Sequence, residues 1–535
     1  MIISEILYFT HILMRRIRYM SYKITDSTLI EEIIALQGTI KQYENTLTAS
    51  NTVPTFSHPL DDEIIGENGL LNKLILVGDF ITYSDYEQMD HLWKQLLKKA
   101  IICLRYFDKR ESFKSDNTKK IEVYGMDALE DYHRRYTDFE SMMYGANAHY
   151  RDHVFHVVRV WLLGIFCMLK DMSGNDSTPE GNTYIDTIQL DGGAFFPSDI
   201  NFFEKISMWT IIALCHDLGY PLEKASQILN KTKNMMKDFV PNPNLWSDFG
   251  YRGVQDNINE YILRFISTKM LAVDGKQDTY LGRIQPKYYL KFAKSLESLQ
   301  HGIVSSVIIF KLLVYFLESD FSLNEDYTFT AEDARQFYIR REILRAIASH
   351  TCPDAYNIHI NTFSSLLFLC DEMQEWGRKS WNELYTGVAK STVTLNLHLF
   401  GLSGIHFEEQ IEIKEIKPNS KSDTKTTKAI DKEAINSVLR IFERQYSLYK
   451  STFRDGSSSL KRDFELQKKI TIKLPTRGSS ERFIYIAYSL PTNGNSFFSV
   501  KLDITNEDMK EGFLDTIKST LSGKTYSDDI KVERK

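Results

Sequence analysis

Apolar positions recur at helical spacing along most of this chain and give way to alternation after about Ser391. LIEEIIALQGTIKQYENTL and YEQMDHLWKQLLKKAIICLRYF predict helices between about residues 25 and 115, joined by the polar loop NTVPTFSHPLDDEIIGENG. His58 and His91 sit in polar surroundings there and read as solvated. MYGANAHYRDHVFHVVRVWLLGIFCML predicts one long helix carrying His149, His153 and His156. Spacings of four and three residues put each neighbouring pair on one helical face. The apolar run after His156 turns that residue toward the core.

KDMSGNDSTPEGNTYIDTIQLDGGAFFP reads as a long polar loop. The apolar run WTIIALC then leads into CHDLGYP, where Gly219 and Pro221 break the helix. A segment of about 80 residues rich in aromatics and polar turns follows, including NPNLWSDFGYRG. SLQHGIVSSVIIFKLLVYFL places His301 at the mouth of a helix, and FYIRREILRAIASH places His350 at the end of another, broken by TCPD. NTFSSLLFLCDEMQEWGR carries Asp371 inside an apolar helix. An unpaired carboxylate buried there costs several kcal/mol, so Asp371 is expected to have a cation.

Beyond Ser391, TVTLNLHLF, HFEEQIEIKEI, KKITIKL, RFIYIAYSL and SFFSVKLDI read as strands. The helices AINSVLRIFERQYSLYK and EDMKEGFLDTIKSTLS are interspersed, and KPNSKSDTKTTK is a solvated loop or linker. His398 and His406 read as surface residues. The expected fold is mainly α, with a helical region over 1–118, a helical bundle over 119–388 and a small α/β domain over 389–535 whose polar loop lies near 417–429.

Composition narrows the classes. With 43% hydrophobic and 25% charged residues the chain has an ordinary globular make-up, sufficient for a substantial core. A net charge of -6 gives no signal for bulk nucleic-acid binding and leaves open a local basic groove. Cys103, Cys167, Cys215, Cys352 and Cys370 are irregularly spaced, which points to reduced thiols and a cytoplasmic setting. Cys215 and Cys370 directly precede His216 and Asp371, so each is either a thiolate ligand or a small buried helix residue. No apolar stretch reaches the length of about 20 residues that spans a bilayer. The opening MIISEILYFTHILMRRIRYM is interrupted by Glu5 and His11; it reads as an upstream-start artefact before Met20 or as an amphipathic helix.

The candidates fall in the order His156, His216-Asp217, His301, His350, Asp371, each at a helix end or in a buried helix. This order, with HVVRVWLLG, ALCHDLGYP, QHGIVSS and LLFLCDEMQEWGR, resembles the HD-domain superfamily of metal-dependent phosphohydrolases over roughly residues 124–385. The resemblance implies a helical bundle in which His156, His216, Asp217 and Asp371 hold one ion. His301 and His350 would then hold a second, with Asp217 bridging. His153, in RDHVFH, competes with His156 as first ligand. His149 and His153 have the spacing of the paired histidines of cyclic nucleotide phosphodiesterases; on that alignment His149 is a general acid and His153 the ligand. The HD-GYP subgroup carries its GYP after a double histidine, where this chain has SHTCPDAYNIH, so a cyclic dinucleotide substrate is not expected.

Two ions about 3.5–4 Å apart acidify a bridging water and clamp a phosphate. The implied cofactors are therefore two divalent ions, of Mn, Fe, Zn, Co, Ni or Mg. Mixed histidine and carboxylate ligands suit the transition metals better than calcium. Besides the bridging Asp217, Glu223 is expected to orient a ligand histidine or a water. Lys224, and Arg378 seven residues after Asp371 on the same expected helical face, are candidates for substrate phosphate or else ion-paired surface residues. Arg159 has the same two readings, substrate contact or helix salt bridge. The leading expectation is a phosphohydrolase acting on a nucleotide or another phosphomonoester or phosphodiester, possible homo-oligomers included. The alternative is a nucleotide-sensing module whose C-terminal domain transmits the signal or recruits a partner.

Overall fold

The computed structural model describes residues 21–48, 56–82, 86–110, 122–146, 150–172, 183–188, 190, 200–237, 239, 254–276, 278–318, 328–352, 361–378, 391–401, 404–413, 465–477, 480–491, 497–504 and 530–534. The fold is mainly α with a smaller β-rich part. The helices of two or more turns are α1 (Asp26–Ala35), α2 (Gln37–Thr48), α3 (Tyr86–Tyr106), α4 (Met126–Ala146), α5 (Val154–Leu169) and α6 (Phe202–Cys215). They continue with α7 (Tyr220–Met236), α8 (Val254–Ser267), α9 (Pro286–Glu297), α10 (His301–Leu312), α11 (Ala331–Ser349) and α12 (Phe363–Met373).

Helices α5 and α6 are apolar around almost their whole circumference, the pattern of helices enclosed by others. Helix α6 starts on a reciprocal cap: Asn201 accepts from the Glu204 amide, and the Glu204 carboxylate accepts from the Asn201 amide. Three buried indoles tie α6 to its neighbours without leaving a buried N–H unpaired. Trp93 of α3 donates to Leu214 O at 3.0 Å, Trp209 to Trp161 O at 3.1 Å, and Trp161 to Thr210 Oγ1 at 3.0 Å. The N-terminal helices therefore share one apolar core with the central ones.

Strands β1 (Tyr22–Ile24), β2 (Leu76–Val77) and β3 (Phe80–Ile81) accompany the first helices. The central region, expected to be all-helical, also contains a three-stranded antiparallel sheet of β4 (Thr268–Ala272), β5 (Thr279–Ile284) and β6 (Thr328–Thr330). β4 and β5 fall within the stretch that read as aromatics and turns, and β6 follows the His301 helix; β4 has five residues and β6 three, too few for alternation to register.

The C-terminal strands are β7 (Ser391–Gly401), β8 (Gly404–Ile413), β9 (Glu465–Arg477), β10 (Ser480–Pro491), β11 (Phe497–Ile504) and β12 (Ile530–Arg534). Strands β7 to β11 coincide with the segments that read as strands in the sequence; β12 was not expected. With β1 they form one sheet in the order β1-β7-β8-β9-β10-β11-β12, parallel at β8–β9 and β11–β12 and antiparallel elsewhere. Its first strand comes from the start of the chain: Tyr22 pairs with Leu397 and Ile24 with Leu395. The two helices expected in this part, the loop near 417–429 and the opening residues lie outside the described residues.

Other expectations need correction. His58 is fully buried and bonded to Glu44 at 2.7 Å, because the loop between α2 and α3 folds onto the core. The long helix expected through His149, His153 and His156 is two helices, α4 ending at Ala146 and α5 starting at Val154. The Asp152 carboxylate accepts from the Phe155 amide at 2.8 Å, and Glu140 accepts from the His153 amide. These side chains satisfy amides at the start of α5 in place of a preceding turn. Among the described residues no helix is long and apolar enough to cross a membrane.

Candidate metal centre

Five helix ends and one helix flank meet at a single point. His156 lies in the first turn of α5, His216 caps the C-terminus of α6, and Asp217 follows it. His301 is the first residue of α10, His350 caps the C-terminus of α11, and Asp371 lies in the last turn of α12. Two glycines allow this approach. A Cβ on Gly219 would lie 2.3 Å from His301 O, and one on Gly302 would lie 2.6 Å from Ile347 O. Either would push α10 away, from the His-Asp turn or from the end of α11. Ser305 reinforces the first contact, with its hydroxyl 2.7 Å from His216 O and accepting from the Gly219 amide at 2.7 Å.

Each of the four histidines is held by Nδ1. His216 donates to Ala213 O at 2.8 Å and His350 to Ile347 O at 2.6 Å, both folding back onto a free carbonyl at a helix C-terminus. His156 Nδ1 lies 2.5 Å from Gln374 Oε1, and His301 Nδ1 lies 2.6 Å from Glu223 Oε2. Four acceptors assign a proton to Nδ1 in each ring and turn each Nε2 toward the carboxylates; His156 Nε2 lies 2.9 Å from Asp371 Oδ1.

The four Nε2 atoms converge on two carboxylates. Asp217 Oδ2 is 3.4 Å from His216 Nε2 and 3.7 Å from His156 Nε2; its Oδ1 is 3.3 Å from His301 Nε2 and 3.8 Å from His350 Nε2. Asp371 Oδ1 is 2.9 Å from His156 Nε2 and 3.8 Å from His216 Nε2. Ligands about 2.1 Å from one cation and roughly at right angles stand about 3 Å apart, close to these spacings. The buried Nε2 atoms of His216 and His350 have no hydrogen-bond partner. Three sets can each hold an ion: His156-His216-Asp217, His216-His350-Asp371 and Asp217-His301-His350. The donors therefore fit one or two divalent cations.

Burial pushes the Asp217 carboxyl upward, but His216, His301 and His350 outweigh it and hold the group well below the usual carboxylate range. Asp371 is likewise pushed up by burial and held well down by His156 and His216. Burial lowers His156 and His350. His301 is also opposed by burial, yet hydrogen bonds to Asp217 and Glu223 raise it to about 9.

The remaining sequence candidates fall at different places. His153 is buried outside the cluster, its ring 4.0 Å from that of Tyr220 and its Nδ1 2.9 Å from the Tyr150 hydroxyl. His156, rather than His153, faces Asp217. His149 lies outside the described residues. Glu223 binds His301 through both its amide and its ring, so it orients that histidine. Lys224 is ion-paired with Glu223 and lies over the Tyr220 ring. Arg159 points away from the cluster and is clamped by Asp26, with Nε 3.0 Å from both carboxylate oxygens. Arg378 is not on the Asp371 helix, which ends at Met373, because the chain turns at Trp376-Gly377. It is nonetheless close: its charge acts on His156 and His153, and Asp371 and Asp217 act on it in turn. Cys215 and Cys370 are buried thiols pushed up by burial, outside every candidate ligand set.

Gln374 escaped notice in the sequence. Its position three residues after Asp371, one turn on in the same segment, was the available signal. Comparison with protein-family models, curated proteins and solved structures finds no match to the chain.

Proposed function

We propose that the chain is a divalent-metal-dependent phosphohydrolase of the HD type, acting on a nucleotide or another phosphate ester. One observation carries the reading. The two oxygens of Asp217 each face two histidine Nε2 atoms whose rings are already anchored by Nδ1. Four imidazole nitrogens gathered on two shared carboxylates match the mixed nitrogen and oxygen donor set that holds divalent ions.

His156, His216, Asp217 and Asp371 would hold one ion, and His301 and His350 a second with Asp217 shared. When bound, such ions supply a hydroxide near neutral pH and neutralise charge on phosphoryl oxygens. The mixed nitrogen and oxygen donors favour Mn, Fe, Co, Ni or Zn. Glu223 keeps the His301 lone pair aimed at Asp217. Arg378, whose charge interacts with Glu375 and Asp152 and also with Asp371 and Asp217, would offer a phosphate a charge-assisted contact. Lys224 neutralises Glu223 and is the weaker candidate. The five buried thiols support a reducing, cytoplasmic setting.

The test is metal analysis of the purified protein beside Asp217→Ala, with hydrolysis of bis-(p-nitrophenyl) phosphate and of nucleotides assayed on both. About two ions per chain in the parent, lost together with activity in the variant, is the expected outcome. Metal without hydrolysis of any phosphate ester would move the function to nucleotide binding. Absence of bound metal after Mn, Fe, Co or Ni is supplied would overturn the reading.

A further inference from the structure

The side chains behind His156 form a continuous hydrogen-bonded chain that begins in the N-terminal segment. Asp26, the first residue of α1, is fully buried. It accepts from the Trp376 indole at 2.9 Å, from the Ile81 amide at 2.9 Å and from Arg159. Trp376, 2% exposed, presents its carbonyl to Gln374 Nε2 at 2.7 Å. A carbonyl can only accept, so this bond fixes which end of the Gln374 amide is nitrogen. The other end, Oε1, then faces His156 Nδ1 at 2.5 Å and can only accept from it. The amide orientation thus dictates the histidine tautomer, and the tautomer places a lone pair on Nε2 toward Asp371 and Asp217.

We infer that Gln374 is a positioning residue of the metal centre, held by Trp376 and the N-terminal Asp26, that sets His156 as an Nε2 ligand. The inference rests on the reading of the cluster as a metal centre. It gives the N-terminal strand and helix a part in the site, for the same segment supplies β1 to the C-terminal sheet and Asp26 to Trp376. Each of the other three histidines has its Nδ1 acceptor on a backbone carbonyl or on Glu223. His156 alone of the four depends on a neutral side-chain amide, whose two ends have opposite polarity.

The experiment measures cobalt(II) binding by its visible absorption, without reference to activity. The proteins are the full-length parent, Gln374→Leu, Gln374→Glu and Trp376→Phe, each checked for folding by near-ultraviolet circular dichroism. Removing such a partner weakens metal binding by about 10–100-fold. Gln374→Leu should do so at the ion bound by His156 and alter the cobalt spectrum. Gln374→Glu retains an acceptor for His156 Nδ1 but must be protonated to keep the bond to the Trp376 carbonyl, so it should lose clearly less affinity than Gln374→Leu. Trp376→Phe keeps an aromatic ring and the backbone carbonyl that holds Gln374, and loses the indole N–H bonded to Asp26 together with some buried volume, so it should fall between them. If Gln374→Leu binds cobalt as the parent does, with the same spectrum, the role of Gln374 is refuted while the metal centre stands. Equal loss in Gln374→Glu and Gln374→Leu refutes it too, because packing and not the acceptor would then be the cause. A folded parent that takes up no cobalt, manganese, iron or nickel refutes the metal centre itself.

Discussion

His156 and Arg159 sit one turn apart on α5, each 1% exposed, and their surroundings are opposite. Arg159 meets a carboxylate aimed at it, since Asp26 takes its Nε and one terminal nitrogen at 2.9–3.0 Å. His156 is bonded at Nδ1 and faces, at Nε2, two carboxylates that three other histidines also face. The first assembly is complete as the chain folds. The second gathers four imidazole Nε2 atoms and two carboxylates at one point, and the Nε2 atoms of His216 and His350 have no hydrogen-bond partner there. Burial alone does not separate a structural ion pair from a ligand site; what the far side of each group meets does.

Four changes would break or sharpen this contrast. Asp217→Ala should remove the shared ligand, abolish binding of both ions and lower phosphate-ester hydrolysis by at least about a thousandfold, read by metal analysis and turnover. Arg159→Met should act on the other assembly. Leaving Asp26 buried without its cation costs about 3–5 kcal/mol in a denaturant titration, while the folded fraction still binds metal, weakened at most through the Asp26–Trp376 contact. Loss of metal in that variant without loss of stability would erase the distinction. Glu223→Ala should loosen His301 and weaken only the second ion, by about 10–100-fold, in a two-site metal titration.

The fourth change is in pH. His301, raised to about 9 in the metal-free protein, must lose its proton before Nε2 can bind an ion. Affinity at the second site should therefore rise, by up to about fiftyfold, between pH 7 and 9. A flat profile would show that the Glu223 and Asp217 contacts do not hold a proton on His301. Conversely, the stability that protonated His301 lends the metal-free fold is present in full below about pH 6.5 and is lost as pH rises through about 9.

The chain by itself determined a good deal. Helical periodicity located α3, α5, α6, α11 and α12, and strict alternation located β7 to β11, because both patterns follow from burying one face of a regular element. His216, His301, His350 and Asp371 were legible because each stands where an apolar helix begins or ends, although the Asp371 side chain, expected to be buried, is 33% exposed. Tertiary structure alone decided the rest. His156 prevailed over His153 because Asp152 and Glu140 start α5 between them and turn the two rings to different neighbours. Arg159 became structural because a carboxylate 133 residues earlier in the chain reaches it. The same Asp26 and the β1–β7 pairing join residues 22–26 to residues 376 and 395–397, which local pattern cannot register. Which lone pairs meet across a space is a property of long-range packing, and no spacing along one chain encodes it.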